Sequence, residues 1–243
     1  MTASTDAVRA LIDDLVDANH ILACEGVVDA YGHVSVRHPD DPGRFFLSCS
    51  RSPELVTAAD IMEFGLDGGT VAADKRSPYL ERYIHGAIYE ARPDVRAVVH
   101  SHAEDVLPFT ISKSAKLRPV IHSASGMGAH APLWDIREAF GPTDLLVTSV
   151  AQGRDLATRL GRGSVVLMRG HGFAAAGTSL FDVVSTAVYL PKNARVLMNA
   201  LRLGDVIDIS EDELNVRTAR GPLYPGMVPR AWEYWKARVA AAR

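Results

Sequence analysis

The run Val95-Arg96-Ala97-Val98-Val99-His100-Ser101-His102 constrains this chain more than any other stretch. Valine-rich runs suit the pleated surface of a sheet, and residues two apart on a strand point to one face. The spacing therefore predicts a buried strand that ends with two imidazoles aimed at one point, which suggests a metal.

With 243 residues, 47% of them hydrophobic and 23% charged, the chain can bury a substantial core, and residues 1–243 read as a single domain. A formal net charge of −3 gives no electrostatic reason to expect nucleic acid or an anionic membrane, which leaves a small soluble partner. Cys24 and Cys49 are too few for a disulfide framework or a thiolate cage, and the N-terminus has neither a basic nor an apolar leader region. The expectation is a cytoplasmic protein with reduced thiols. No apolar stretch approaches the roughly 20 residues that span a bilayer, so no membrane role is expected.

Along the chain, Ser4 or Thr5 can cap a first helix whose Val8, Leu11, Ile12, Leu15, Val16 and Ile21 recur at helical spacing up to Gly26. Tyr31 to Arg37 alternates like a strand, with Phe45 to Ser48 as its hairpin partner across the loop His38 to Arg44. Thr57 to Asp60 reads as a short helix start and Asp67-Gly68-Gly69 as a turn. Ser77-Pro78 opens a second helix that Arg92-Pro93 closes, with Glu81 and His85 on one face. Taken alone, that pair is a weak ion pair on a solvated face; the strand carrying His100 and His102 follows so soon that the helix should pack beside it.

Leu117 to His122, Asp144 to Thr148 and Ser164 to Met168 read as strands, and Val150 to Leu160 as a helix. In Arg169-Gly170-His171-Gly172 the glycines let backbone and ligand come close to the histidine. A long helix over Ser179 to Leu203 carries apolar residues on most faces despite Pro191. Trp232, Tyr234 and Trp235 concentrate aromatic residues near the C-terminus, where they either pack or enter a neighbouring subunit's site. His100, His102 and His171 all fall at ends of apolar strands. Three imidazoles with one carboxylate suit zinc, and equally manganese or iron.

The segments GHVSVR at 32–37, ERYIHGAIYEARPDVRAVVHSH at 81–102 and RGHG at 169–172, in this order and spacing, resemble the class II aldolase/adducin family. The resemblance runs from the first helix to about Gly204. It implies an α/β fold, a three-layer α/β/α sandwich on a mainly antiparallel central sheet, assembled as a homotetramer with active sites near subunit contacts. It further implies one divalent metal ion per subunit on His100, His102 and His171, zinc or manganese first and iron or cobalt next. Glu81, nineteen residues before the first ligand, matches the family's acid/base, sometimes a fourth ligand.

The departures from the family pattern narrow the substrate. Sugar-phosphate aldolases of the family bind phosphate with a loop resembling T-P-S/T-G, a backbone nest that glycine permits. Ser48-Cys49-Ser50-Arg51 stands there without glycine, and Tyr79-Leu80 replaces a phosphate-binding serine pair. His33 replaces the asparagine of the G-N-x-S motif, and the tyrosine proton donor expected after Val120-Ile121-His122 is missing, with Ser123 in its place. These changes argue against a phosphorylated sugar. The planar fork of Arg51 suits a carboxylate, unless it is an ordinary loop cation, and His33 can donate to a carboxylate or a phenol. Ser50, Arg118, His122 and Tyr234 are further candidate substrate contacts.

GHVSVRHP, SRSPELVTAADI at 50–61, WDIREAFG at 134–141 and RAWEYW at 230–235 are similar to the branch containing decarboxylases of hydroxylated aromatic or pyridine carboxylates. That similarity implies a small-molecule carboxylate chelated through a ring oxygen and the adjacent carboxylate. Glu81, or a protonated histidine such as His33 or His122, would return the proton to the ring carbon. Two alternatives remain: a metal-dependent aldolase acting on a non-phosphorylated hydroxy or keto acid, and a non-catalytic adducin-like interaction module.

Overall fold

The computed structural model describes residues 5–219 and 227–242; the possible cap Ser4 lies outside them. Helix α1 spans Thr5–Cys24, followed by strands β1 His33–Arg37, β2 Arg44–Ser48 and β3 Ile61–Gly65. Helix α2 Arg82–Ala91, strand β4 Ala97–Ser101, helix α3 Leu107–Ile111, strand β5 Leu133–Trp134 and helices α4 Arg137–Phe140 and α5 Val150–Leu160 come next. Strands β6 Val165–Met168 and β7 Gly172–Gly177 then lead into helices α6 Leu180–Leu203, α7 Glu211–Ala219 and α8 Met227–Ala242.

The seven strands form one sheet in the order β3-β2-β1-β4-β7-β6-β5, antiparallel throughout except for the parallel pair β5 and β6. Alternation along the strands divides two apolar cores between the sheet's faces. Val34, Val36, Ala97, Val99, Val165 and Leu167 pack with residues of α1 and α6. Phe45, Leu47, Val98, Val166 and Met168 pack with residues of α2 and α5 on the opposite face. This is the expected three-layer sandwich. His33, Ser35, Val98 and His100 occupy alternate positions facing α2, and His33 is the direct cross-strand partner of His100.

Two expected strands are not strands. Over Leu117 to His122, the backbone N–H groups of Val120 and Ile121 donate to Asn193 Oδ1 of α6, and Asn193 Nδ2 donates to the Arg118 carbonyl. The side chain of Asn193 takes the place of a ladder partner. Over Asp144 to Thr148, the Val147 N–H donates to Glu81, the Leu145 carbonyl accepts from His171, and the Thr148 N–H donates to Gln152. Leu145 has a positive φ of 71°, incompatible with a strand. Conversely, β3 was hidden in a five-residue alternation: Met62 and Phe64 are buried against β2, and the Asp67-Gly68-Gly69 turn follows.

Helix α2 begins at Arg82 instead of Ser77-Pro78. Pro78 bridges to Cys49, the Ser50 N–H donates to the Ser77 carbonyl over 2.7 Å, and the Tyr79 hydroxyl donates to the Arg51 carbonyl. These contacts hold residues 77–79 against the loop at 49–51 until Glu81, whose side chain is engaged elsewhere. The short helix start expected at Thr57 is a single 3₁₀ turn, Ala58–Asp60, with Thr57 and Asp60 in a reciprocal capping box.

Helices α2 and α5 press together through Gly153, where an added Cβ would stand 2.4 Å from the Tyr83 carbonyl oxygen. Gly153→Ala is expected to cost about 1–3 kcal/mol by overpacking, lowering Tm by about 3–10 °C in calorimetry. An unchanged Tm would mean the helices part without penalty. At the C-terminus, Trp235 is 2% exposed and packs its ring 5.8 Å from Phe181, so this aromatic belongs to the chain's own core. Among the described residues, both cysteines are free thiols and no helix is long and apolar enough to cross a membrane.

Candidate metal and substrate site

The end of β4 and the turn between β6 and β7 bring His100, His102 and His171 together. His100 Nε2 lies 2.9 Å from His102 Nε2, which lies 3.0 Å from His171 Nε2. Glu81 Oε2 closes the set at 3.3 Å from His100 Nε2 and 3.4 Å from His171 Nε2. The turn works because Gly170 takes φ 63°, and because Gly172 has no Cβ to strike the Ser101 carbonyl, 2.1 Å from where one would sit.

Their outer partners fix which nitrogens face inward. His100 Nδ1 donates to the Phe173 carbonyl and His171 Nδ1 to the Leu145 carbonyl, both over 3.0 Å. With Nδ1 committed to a carbonyl, each of these two rings turns its Nε2 toward the common point, a lone pair when the ring is neutral. Glu81 Oε1 is held by the Val147 N–H at 3.0 Å, leaving Oε2 for the cluster. Three inward ring nitrogens and a carboxylate oxygen crowding around one point suit a cation, which takes the place of the protons those nitrogens otherwise share with Glu81. Donors about 2.0–2.2 Å from one small ion stand about 3–3.5 Å apart, the spacing these atoms have.

The electrostatics agree. Burial opposes charge on Glu81, but His100 and His171 outweigh it and hold its carboxyl far below the usual range. Burial and the neighbouring His100 and His171 push His102 down to about 3. For His171, burial is outweighed by the Glu81 carboxylate, and its pKa rises above the ordinary 6.5. A ligand nitrogen must be unprotonated, so His171 is the first to compete with a metal as the pH falls. Apparent zinc affinity, read by competition with a chelator, is expected to be higher at pH 8 than at pH 6. An affinity independent of pH over that range would remove His171 from the ligand set.

Beside the cluster lies a cleft of about 300 Å³. Tyr31, Leu80 and Leu146 give it apolar wall, and His33, Ser50 and Arg51 line it together with Glu81 and His102. Arg51 is half-exposed; its Nε donates to the Leu55 carbonyl at 2.7 Å and lies 3.6 Å from Asp60 Oδ2. The terminal nitrogens have no hydrogen-bond partner recorded among the described residues.

Arg118, His122 and Tyr234 do not line this cleft. Arg118 is 3.2 Å from Asp208, His122 begins a 3₁₀ turn ending at Met127, and Tyr234 is 57% exposed on α8. His33 lines the cleft but is not a protonated acid: burial, followed by the neighbouring His85 and His100, lowers its pKa well below 6.5. The weak Glu81–His85 ion pair that the spacing alone would suggest does not form. Glu81 turns to the histidine cluster, while His85 turns inward to His33, 2.7 Å away.

Sequence reasoning missed the main-chain contributors, the Leu145 and Phe173 carbonyls and the Val147 N–H. No side-chain type marks these. The local sign was a segment, Asp144 to Thr148, with strand-like composition and no fitting partner.

Residues 13–198 match the sequence family described as "Class II Aldolase and Adducin N-terminal domain". The chain is 36% identical over 245 aligned positions to Decarboxylase tropJ of Talaromyces stipitatus, covering 90% of each. It is 27% identical to the 3,4-dihydroxyphthalate decarboxylase of a Terrabacter species, covering 98% of this chain and 100% of that one. Among solved structures, an L-fuculose 1-phosphate aldolase from Glaciozyma antarctica superposes with TM-score 0.75 at 23% identity, covering 100% of this chain and 93% of the other. An aldolase II superfamily protein from Pseudomonas syringae gives 0.78 at 20% identity, with 95% and 92% covered. At these identities the structural likeness concerns the fold.

Proposed function

The chain belongs to the class II aldolase and adducin family, and on that premise we propose that it is a divalent-metal-dependent decarboxylase of a hydroxylated aromatic or heteroaromatic carboxylate or dicarboxylate. The observation that carries this reading is an intact donor set of three histidines and one carboxylate opening onto a small cleft with an arginine and no phosphate-binding loop. Similarity to proteins named as decarboxylases along nearly their full length supports the reaction type. A 300 Å³ space with apolar walls accommodates one substituted ring.

Residues His100, His102 and His171 would hold the metal, zinc or manganese, which supplies Lewis acidity at the ring oxygen and adjacent carboxylate. Glu81, which lines the cleft beside the three histidines, would take the proton of the ring hydroxyl as substrate binds and return it to the ring carbon that loses carbon dioxide. His33, neutral in its buried setting, offers a hydrogen bond to a substrate oxygen. Arg51, with Ser50 beside it, binds a second carboxylate away from the metal. In the proposed homotetramer, exposed Tyr234 is available to a neighbouring subunit's site.

Incubating the metal-loaded protein with hydroxylated aromatic diacids, and separately with hydroxy keto acids, tests the reaction by following carbon dioxide and pyruvate. Carbon dioxide release from the diacids is expected. Pyruvate without carbon dioxide would establish an aldolase instead, and protein purified with an empty site and no turnover would establish an interaction module. Arg51→Ala is expected to raise KM about 10- to 100-fold with metal content unchanged, the cost of one charge-assisted hydrogen bond of about 1.5–3 kcal/mol. An unchanged KM would return Arg51 to the role of a surface cation.

A further inference from the structure

Behind His33 runs a buried line of polar groups that the reaction above does not use. His33 Nδ1 is 2.7 Å from His85 Nε2, His85 Nδ1 is 2.6 Å from Ser35 Oγ, and Ser35 Oγ is 2.8 Å from Tyr89 Oη. His85 and Ser35 are 0% exposed and Tyr89 is 1% exposed. We propose that His85, backed by Ser35, is a positioning residue that locks His33 in the tautomer whose Nε2–H is presented to the cleft.

The argument is a count of hydrogens. Both imidazoles are buried, His33 3% and His85 0% exposed, which favours the neutral ring with one N–H each, and each hydroxyl carries one O–H. Three hydrogen bonds connect four groups with four hydrogens. In one arrangement Tyr89 donates to Ser35, Ser35 to His85 Nδ1, and His85 Nε2–H to His33 Nδ1. The fourth hydrogen is then on His33 Nε2, the only nitrogen of that ring left for the cleft it lines. With His33 as donor, His85 donates to Ser35 and one hydroxyl hydrogen is stranded in the core: that of Tyr89 if Ser35 donates to it, or that of Ser35 if its oxygen also accepts from Tyr89. The Val98 N–H, which faces the Tyr89 hydroxyl, is itself a donor and cannot take a stranded hydrogen. Stranding a buried polar hydrogen is costly, so the first arrangement dominates.

The consequence rests on the reading of the cleft as the substrate site: His33 meets an anionic or phenolic oxygen as a donor, never as a bare acceptor. The lock itself is read without turnover, which keeps its failure distinct from failure of the decarboxylase reading. Long-range ¹H–¹⁵N correlation on zinc-loaded, histidine-labelled protein, or neutron diffraction from its crystals, should show His33 protonated at Nε2 and bare at Nδ1. Protonation at Nδ1 in the unaltered protein would overturn the proposal, with no variant needed. Ser35→Ala removes the hydroxyl that orients His85 and should let both His33 tautomers populate, reducing the bias at least tenfold. Tyr89→Phe should leave the bias intact, since Ser35 alone still has only His85 to donate to. His85→Leu should release His33, while His85→Gln, whose amide can donate to His33 and accept from Ser35, should restore the Nε2–H form. A bias unchanged in both Ser35→Ala and His85→Leu would refute the positioning role.

Discussion

Replacing His100 by alanine is expected to yield a folded protein that retains less than about a tenth of the metal and shows no measurable turnover. His100 is fully buried, its Nδ1 donates to the Phe173 carbonyl at 3.0 Å, and its Nε2 is 2.9 Å from His102 Nε2 and 3.3 Å from Glu81 Oε2. Its loss removes one of four inward donors and the partner of a buried carbonyl. The effect should exceed the roughly 10- to 100-fold that loss of an outer partner of a metal ligand costs. Metal analysis of the purified variant, with circular dichroism to confirm the fold, makes the measurement. A variant with a full metal complement would mean that the histidine cluster is not the metal site.

Glu81→Gln is expected to do the opposite to the metal and the same to the rate. The glutamine oxygen can keep accepting the Val147 N–H that Glu81 Oε1 now accepts at 3.0 Å, so the side chain stays in place and three imidazoles remain. An amide cannot accept and return a proton at neutral pH, and turnover should fall about 10²- to 10⁴-fold, the usual worth of a general acid/base. Rate and metal content measured on one preparation separate the outcomes. An unchanged rate removes the proton-transfer role; metal lost along with the rate makes Glu81 a required ligand.

Much of this site was legible in the sequence because imidazoles and carboxylates announce themselves and strand periodicity tells where they point. His100 and His102 share a face by their spacing, and the neighbouring helix delivers Glu81 to them. Much of what was not legible has one physical origin: polar backbone groups satisfied by distant side chains. Asn193 supplants a ladder at Val120 and Ile121, and Glu81 and His171 draw on the backbone between Leu145 and Val147. A local pattern of apolar residues cannot report a partner dozens of residues away. The same limit applies to His85, which by helical spacing pairs with Glu81 and by three-dimensional packing belongs to His33.

The inward donors come from three separated places in the chain, 81, 100–102 and 171, and the carbonyls and amide that aim them come from 145, 147 and 173. An unfolded chain offers no such constellation, so an ion held by these donors would favour the native state. Free metal at a hundred times its dissociation constant would then add about 2.7 kcal/mol to the unfolding free energy. The melting temperature should then rise with metal supply, and a chelator should act on the metal-loaded protein as a mild denaturant.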